Sequence, residues 1–373
     1  MSGFKKYILF VGMGDWCLPQ LEIAKQKGYK TIVTNRDKNA VALEKADVPI
    51  VADGCDASAI LSFLCQKQIE NEITYIYTGT ELFFPVALIA QSLNIPWHSP
   101  LSAYICENKS LMREKFKQHN VLHPSGCSAK SSTELISKVQ YKKGKKYVIK
   151  PSNSLSSQGI TIVSSERELK DAFNRAVQYA TSKTVVCEEY VEGLLHDTNG
   201  ILTEGRLIRL GINDKKAGPL PHTVVIEGSC PTILSKSLQE EIYSIFEKAC
   251  RAVGLTHGPV KGDFIVDGEN NVFVLEVAPR LHGPLGSLYL IPNALEINPF
   301  EGLLNWFDKG EGNVKEHYSS HHVSETVFAT ACDLIENFKK KGMVLNILEK
   351  PGISDRKLWK SNYDVPIYVI WKQ

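Results

Sequence analysis

The chain has 373 residues, 43% of them hydrophobic, and its 43 basic and 41 acidic residues leave a formal net charge of +2. That length suits two or three domains with sizeable cores, and the near-balanced charge argues against nucleic acid or an anionic membrane, which leaves small molecules or protein partners. No apolar run reaches membrane-spanning length, "MSGFKKYILFVGMGD" enters a strand without a signal-peptide core, and nine scattered cysteines form no Cys-x-x-Cys pair, so a cytoplasmic protein with free thiols is expected.

Short apolar or β-branched runs at residues 7–11, 31–34, 49–51 and 75–78 alternate with segments of helical composition, the first ending near Gly28. This βαβ series implies a parallel sheet, closing near "NIPWHSP". A helix is expected from residue 102 to about 119. "YKKGKKYVIKPSNSLSSQGITIVSS" then supplies two strands around a Ser- and Gly-containing loop, a helix spans 166 to about 180, and "TVVCEEYVEG" is a strand ending in a turn. "KGDFIVDGENNVFVLEVAPR", residues 261–280, reads as a β-hairpin. With a loop at 268–271, Val266 faces Phe273 and Asp263 lies across from Glu276. Residues 292–307 read as helix, and strands return beyond residue 317, as at 367–371. The fold class is thus α/β followed by α+β.

The hairpin raises a chemical question, because like charges directly opposite on a ladder repel. Asp263 and Glu276 need a cation between them, a shared proton or water. Elsewhere, Gly12 and Gly14 follow a strand, but Cys17 stands where a dinucleotide fingerprint has its third glycine, which favours a tight strand-to-helix turn over NAD. "YTGTE" sets Glu81 at the carboxyl end of a strand, where open α/β sheets bind ligands, although Thr80 as a helix cap explains it equally. Lys150 precedes small polar residues whose hydroxyls and N–H groups suit a polyphosphate. Lys142, Lys143, Lys145 and Lys146 read as a solvated turn. Glu188 and Glu189 end a strand at a hinge suited to an adenine edge, with His196 beyond.

The order of these features, Lys109 in "ENKSLMREKFKQ", Lys150 in "YVIKP", "EEYVEG", then Asp263, Glu276 and Arg280, resembles the ATP-grasp superfamily of carboxylate–amine ligase type. The hairpin is most similar to that of the amino acid ligase, biotin carboxylase and carbamoyl phosphate synthetase branches. The resemblance implies a Rossmann-like pre-ATP-grasp domain at 1–107 and two ATP-grasp subdomains at 108–190 and 191–316, with a small appendage at 317–373. It assigns ATP to Lys109, Lys150, Ser156, Ser157 and Gly159, adenine to Glu188, Glu189 and Val191, and the ribose to His196. Asp263 and Glu276 would hold Mg²⁺, with Mn²⁺ as the alternative, so that magnesium explains the paired acids. Arg280 and Lys150 become the catalytic pair, and Glu81, His222, Arg280 and Gly283 candidates for substrate. One departure is Ala278, where relatives usually carry Asn. The implied activity joins a carboxylate, such as an amino acid, to an amine through an acyl phosphate, releasing ADP and phosphate. A small-molecule kinase and a non-catalytic ATP-binding regulator are the alternatives, and a homodimer is compatible with all three readings.

Overall fold

The computed structural model describes residues 7–14, 17–154, 157–218, 224–283, 285–309, 322–328, 333–349, 352 and 365–372. Ser156 and His222, both expected at the site, lie outside them. The N-terminal unit runs β1 (Tyr7–Phe10), α1 (Leu18–Gln26), β2 (Lys30–Asn35), α2 (Val41–Glu44), β3 (Val48–Val51), α3 (Ala57–Gln66), β4 (Ile73–Tyr77) and α4 (Phe83–Ser92). Its strands are parallel in the order β3-β2-β1-β4. Every residue of β1 is buried, as expected for a parallel strand covered on both faces. The turn after it needs glycine: Gly12 has φ +66°, and a Cβ there would come within 2.2 Å of Leu82.

The single helix expected at 102–119 is two, α5 (Pro100–Glu107) and α6 (Lys109–Gln118). Asn108 divides them, because its extended backbone (φ −121°, ψ 99°) lets its side chain accept from Leu111 N and start a new helix. Lys109 therefore opens a helix, with Arg113 one turn on along the same face.

A four-stranded antiparallel sheet follows, in the order β5-β8-β6-β7. It comprises β5 (Gly126–Ala129), β6 (Tyr147–Pro151), β7 (Thr161–Val163) and β8 (Val185–Glu189), with α7 (Ser132–Val139) and α8 (Glu166–Tyr179) packed on one face. Leu169, Ala172, Phe173 and Ala176 form the buried stripe of α8, at the spacing of one helix face.

The remaining strands build one antiparallel sheet in the order β13-β12-β9-β10-β11-β14-β16-β15. They are β9 (Gly193–Thr203), β10 (Arg206–Ala217), β11 (Val225–Cys230), β12 (Gly258–Asp267), β13 (Val272–Ala278), β14 (Val323–Phe328), β15 (Val344–Glu349) and β16 (Ile367–Lys372). The strands beyond residue 317 thus extend the sheet that carries the hairpin. Helix α9 (Lys236–Ala252) covers one face, packing Ile242, Phe246 and Ala249 against Leu202, Val260 and Phe264. The expected helix at 292–307 is again two, α10 (Ile291–Leu295) and α11 (Pro299–Lys309), parted at left-handed Glu296 (φ 56°).

The hairpin register corrects the sequence expectation near the turn. Val266 pairs with Val272 instead of Phe273, because Asp267 N donates to Asn271 O at 3.1 Å while the Asp267 carboxylate accepts the backbone N–H groups of Glu269 and Asn271 (2.9 and 2.8 Å), which tightens the loop to residues 268–270. A bulge between Asp263 and Phe264 absorbs the offset, so Asp263 still faces Glu276. Leu275 is the extra residue, and its carbonyl accepts from Arg113 Nη2 at 2.5 Å.

Candidate active site

Lys150, at the end of β6, points at β8, where its Nζ lies 2.5 Å from Glu188 Oε2. The other Glu188 oxygen accepts from Arg113 Nε. All three side chains are buried. Burial raises the Glu188 carboxyl, but Arg113 and Lys150 outweigh it and hold the group down at about 2. Lys150 has one anion and two cationic neighbours, so burial wins there and its ammonium is lowered to about 8 despite Glu188. Glu188 was expected beside adenine; instead its side chain is the anionic centre of a buried clamp that fixes Lys150 and, through Leu275 O, the hairpin.

On the face of the large sheet away from α9, Asp263 and Glu276 lie side by side. Cations surround them. Lys109 Nζ is 3.4 Å from Glu276 Oε2 and donates to Ser154 O at 3.2 Å. Lys261 Nζ contacts Asp263 Oδ2, and Lys215 Nζ is 3.4 Å from Asp263 Oδ1. Lys109 foremost, with Lys261 and Lys150, overcomes burial and drives the Glu276 carboxyl far below its ordinary range. The sequence assigned the relief of repulsion to magnesium; in this structure lysine ammonium groups supply it. Among the described residues no group of three or more His, Cys, Asp or Glu side chains is arranged to hold a metal. Two adjacent carboxylates nevertheless fit Mg²⁺, which takes one or two such ligands and completes its shell with water and phosphate oxygens.

Strand alternation places further polar groups on the same face. Asp197 pairs with Asp263 across β9–β12 and with Asn213 across β9–β10. Its fully buried carboxylate meets Lys215 Nζ at 2.5 Å, His282 Nε2 at 3.0 Å and Asn213 Nδ2 at 2.9 Å. His282 and Lys215 overcome burial and keep Asp197 well below the usual carboxylate range. Arg280 Nη2 reaches Glu81 Oε1 at 3.1 Å, joining the end of the hairpin to the N-terminal sheet, while Nη1 donates to Leu281 O at 2.8 Å.

His196 does not join this cluster. It pairs with Phe264, on the α9 face, is 1% exposed, and turns its Nδ1 to Asp214 at 2.8 Å. Adjacent strand residues point to opposite faces, so His196 cannot share a face with Asp197 and Asp263. Gly159 (φ +73°) has no room for a side chain, since a Cβ would lie 2.8 Å from Pro151 and Tyr179. Ser157, also left-handed (φ 64°), accepts Ile160 N through its carbonyl. Gly283 is a turn residue whose carbonyl accepts from Gly286 N and Ser287 N. Glu189 and Val191 line a pocket of about 390 Å³ with Leu122, His123 and Phe273. Asn199 Oδ1 accepts from His282 N at 2.5 Å, and sequence reasoning missed it together with Arg113, Asp197, Lys215, Lys261 and His282. The polar residues at alternate positions in "HDTNG", "INDK" and "VKGD" were the available signal.

A family model described as an ATP-grasp domain matches residues 106–284, from just before α6 to just past the hairpin. Those residues form an ATP-grasp domain. Formate-dependent phosphoribosylglycinamide formyltransferase of Sulfurisphaera tokodaii is 25% identical over 309 residues, covering 80% of this chain and 75% of the relative. The protein y4rH of Sinorhizobium fredii, itself uncharacterized, is 27% identical over 248 residues, 65% of this chain; the match spans 50% of that longer relative. In structure, L-amino acid ligase from Bacillus licheniformis superposes with a TM-score of 0.82 at 17% identity, over 100% of this chain and 94% of the other. The fold shared with that structure therefore includes the N-terminal parallel-sheet unit as well as the ATP-grasp domain. No described helix is long and apolar enough to cross a membrane.

Proposed function

We propose that the chain is an ATP-dependent ligase that activates a small carboxylate, an amino acid or a related metabolite, and joins it to an amine. The observation that carries this reading is the convergence of Lys109 from α6, Lys150 from β6 and the Asp263–Glu276 pair of the β12–β13 hairpin within the residues matched as an ATP-grasp domain. Lys109 and Lys150 bind the phosphates, already oriented by Glu276 and Glu188. The backbone of Glu189 to Val191 takes the adenine edge. ATP-grasp enzymes use ATP with Mg²⁺; Asp263 and Glu276 would hold the ion, which when bound neutralises charge on the phosphate oxygens.

A substrate carboxylate oxygen attacks the γ-phosphorus in line, the bond to the β,γ-bridging oxygen breaks, and ADP leaves. Arg280, whose guanidinium is fixed by Glu81 and Leu281 O, stabilises the charge that spreads over the transferring phosphoryl group. The amine then attacks the acyl phosphate carbon, expelling phosphate and forming the amide. The deep burial of Lys150 and Glu188 keeps water from their side of the site. A screen of single acids and amines reading ADP tests this: release that requires both partners is expected. ADP release dependent on a hydroxyl compound instead, or on no acceptor, would refute it.

A further inference from the structure

Cys127 and Cys187 occupy opposed positions in the β5–β8 ladder. Residues directly opposite in an antiparallel pair have Cα atoms roughly 4.5–5.5 Å apart, within the span of roughly 4.4–6.8 Å that a disulfide bridges. Both side chains lie on the same face of the sheet and pack into the same core beneath α7 and α8. Their environments differ: Cys187 is 1% exposed, whereas Cys127 is half-buried on an edge strand of only four residues. No other described cysteine stands across a ladder from a second one; Cys230 faces Val323, Cys17, Cys106 and Cys250 are buried away from strands, and Cys55 and Cys65 are exposed.

We propose that Cys127 and Cys187 are an oxidisable dithiol, with Cys127 attacking a hydroperoxide and Cys187 closing a cross-strand disulfide. The assignment of roles follows from exposure, since Cys127 is partly open to solvent on the edge strand and Cys187 is covered, and the local electrostatics agree. The neighbouring Cys187 thiol, helped by the Lys138 ammonium, outweighs burial and the Glu134 carboxylate and lowers the Cys127 thiol, while the same contact raises Cys187. Lys138 is held nearby through Ser128 O at 3.0 Å, on the residue next to Cys127. Cys127 thus supplies the thiolate, which is the nucleophilic form.

The chemistry balances with hydrogen peroxide as the oxidant. The Cys127 sulfur attacks one peroxide oxygen, the O–O bond breaks, and the hydroxide released takes a proton to become water. The resulting sulfenic acid is attacked at sulfur by Cys187, whose own proton leaves with the displaced hydroxide as a second water. Two thiols and one peroxide give one disulfide and two waters. The bond ties the edge strand to β8 one residue before Glu188, which enters the Lys150–Arg113 clamp from the other face.

The test treats the full chain with hydrogen peroxide, alkylates remaining thiols, and maps peptides without reduction. The expected result is a peptide joining Cys127 to Cys187 that dithiothreitol separates. It should be absent in Cys127→Ser and in Cys187→Ser, and the latter should retain a dimedone-reactive sulfenic acid at Cys127. Recovery of both cysteines of the parent chain as alkylated thiols, at peroxide levels that oxidise exposed Cys55 and Cys65, would overturn the proposal. So would a disulfide joining Cys187 to a cysteine other than Cys127 in the parent chain.

Discussion

Asp263 stands across from Glu276 in the β12–β13 ladder, and the charges that make this tolerable are side chains: Lys109 lies 3.4 Å from Glu276 and Lys215 3.4 Å from Asp263. The pair is therefore stabilised before any ligand arrives. This reverses the stability effect expected from two bare carboxylates, for which removing one charge relieves repulsion. Glu276→Gln should lower the melting temperature of the metal-free protein. The loss should be only about 1 kcal/mol, because the Glu276 side chain is 36% exposed and solvent screens its pairs. Differential scanning calorimetry without metal decides it, and a higher melting temperature would count against the lysine account.

Glu188 carries a larger share of stability. Its carboxyl is held at about 2 against an ordinary 4.5, so the stabilisation is complete above pH 4.5 and disappears as pH falls towards 2. The shift corresponds to about 3 kcal/mol. Glu188→Gln strands two buried cations and should cost roughly 3–5 kcal/mol at pH 7, while flattening the acid limb. Denaturant midpoints from pH 2 to 7 measure both effects, and parallel acid limbs in parent and variant would contradict the clamp.

Glu325 works in the opposite sense. Burial, with repulsion from Asp197 and against the pull of Lys215, raises its carboxyl from 4.5 to about 7. The folded chain thus keeps a proton that the unfolded chain has released, and stability falls as pH rises from 4.5 to 7. Glu325→Gln removes that slope. It should be more stable than the parent at pH 8 by up to about 3 kcal/mol, and close to it at pH 4.5. Thermal unfolding at the two pH values is the check, and an equal difference at both would rule the titration out.

Lys150→Met tests the nucleotide assignment. Losing one charge-assisted contact should weaken ATP binding by about 1.5–3 kcal/mol, read by calorimetric titration at a temperature where the variant remains folded. Unchanged affinity would remove Lys150 from the phosphate site and leave it only its structural pairing with Glu188.

What was legible in the chain was what local pattern encodes. The parallel N-terminal sheet followed from alternating elements, and the Asp263–Glu276 pairing from the strand formers flanking Asp267 and Gly268, even though a loop contact and a bulge shift the register between them. Arg113 was not legible, because on α6 it looks like any helix-surface charge until β8 brings Glu188 against it. Asp197 and Lys215 were hidden for a related reason. They meet within the local β9–β10 hairpin, but the Asp263 and His282 contacts that complete their cluster depend on β12 pairing with β9, strands far apart in sequence. His196, expected at the ribose, lies on the α9 face with Phe264, because neighbouring strand residues alternate between faces.

The most direct test of the central claim follows an oxygen atom. When a carboxylate attacks the γ-phosphorus, the bridging oxygen stays with phosphorus after the amine displaces phosphate. With ATP, Mg²⁺, an amine and an acid found active in the ADP screen, oxygen-18 placed in the carboxylate should appear in the released phosphate, as read by its phosphorus-31 resonance. Hydroxylamine in place of the amine should yield a hydroxamate. Unlabelled phosphate, or a stable phosphorylated alcohol formed with ADP, would contradict carboxylate activation.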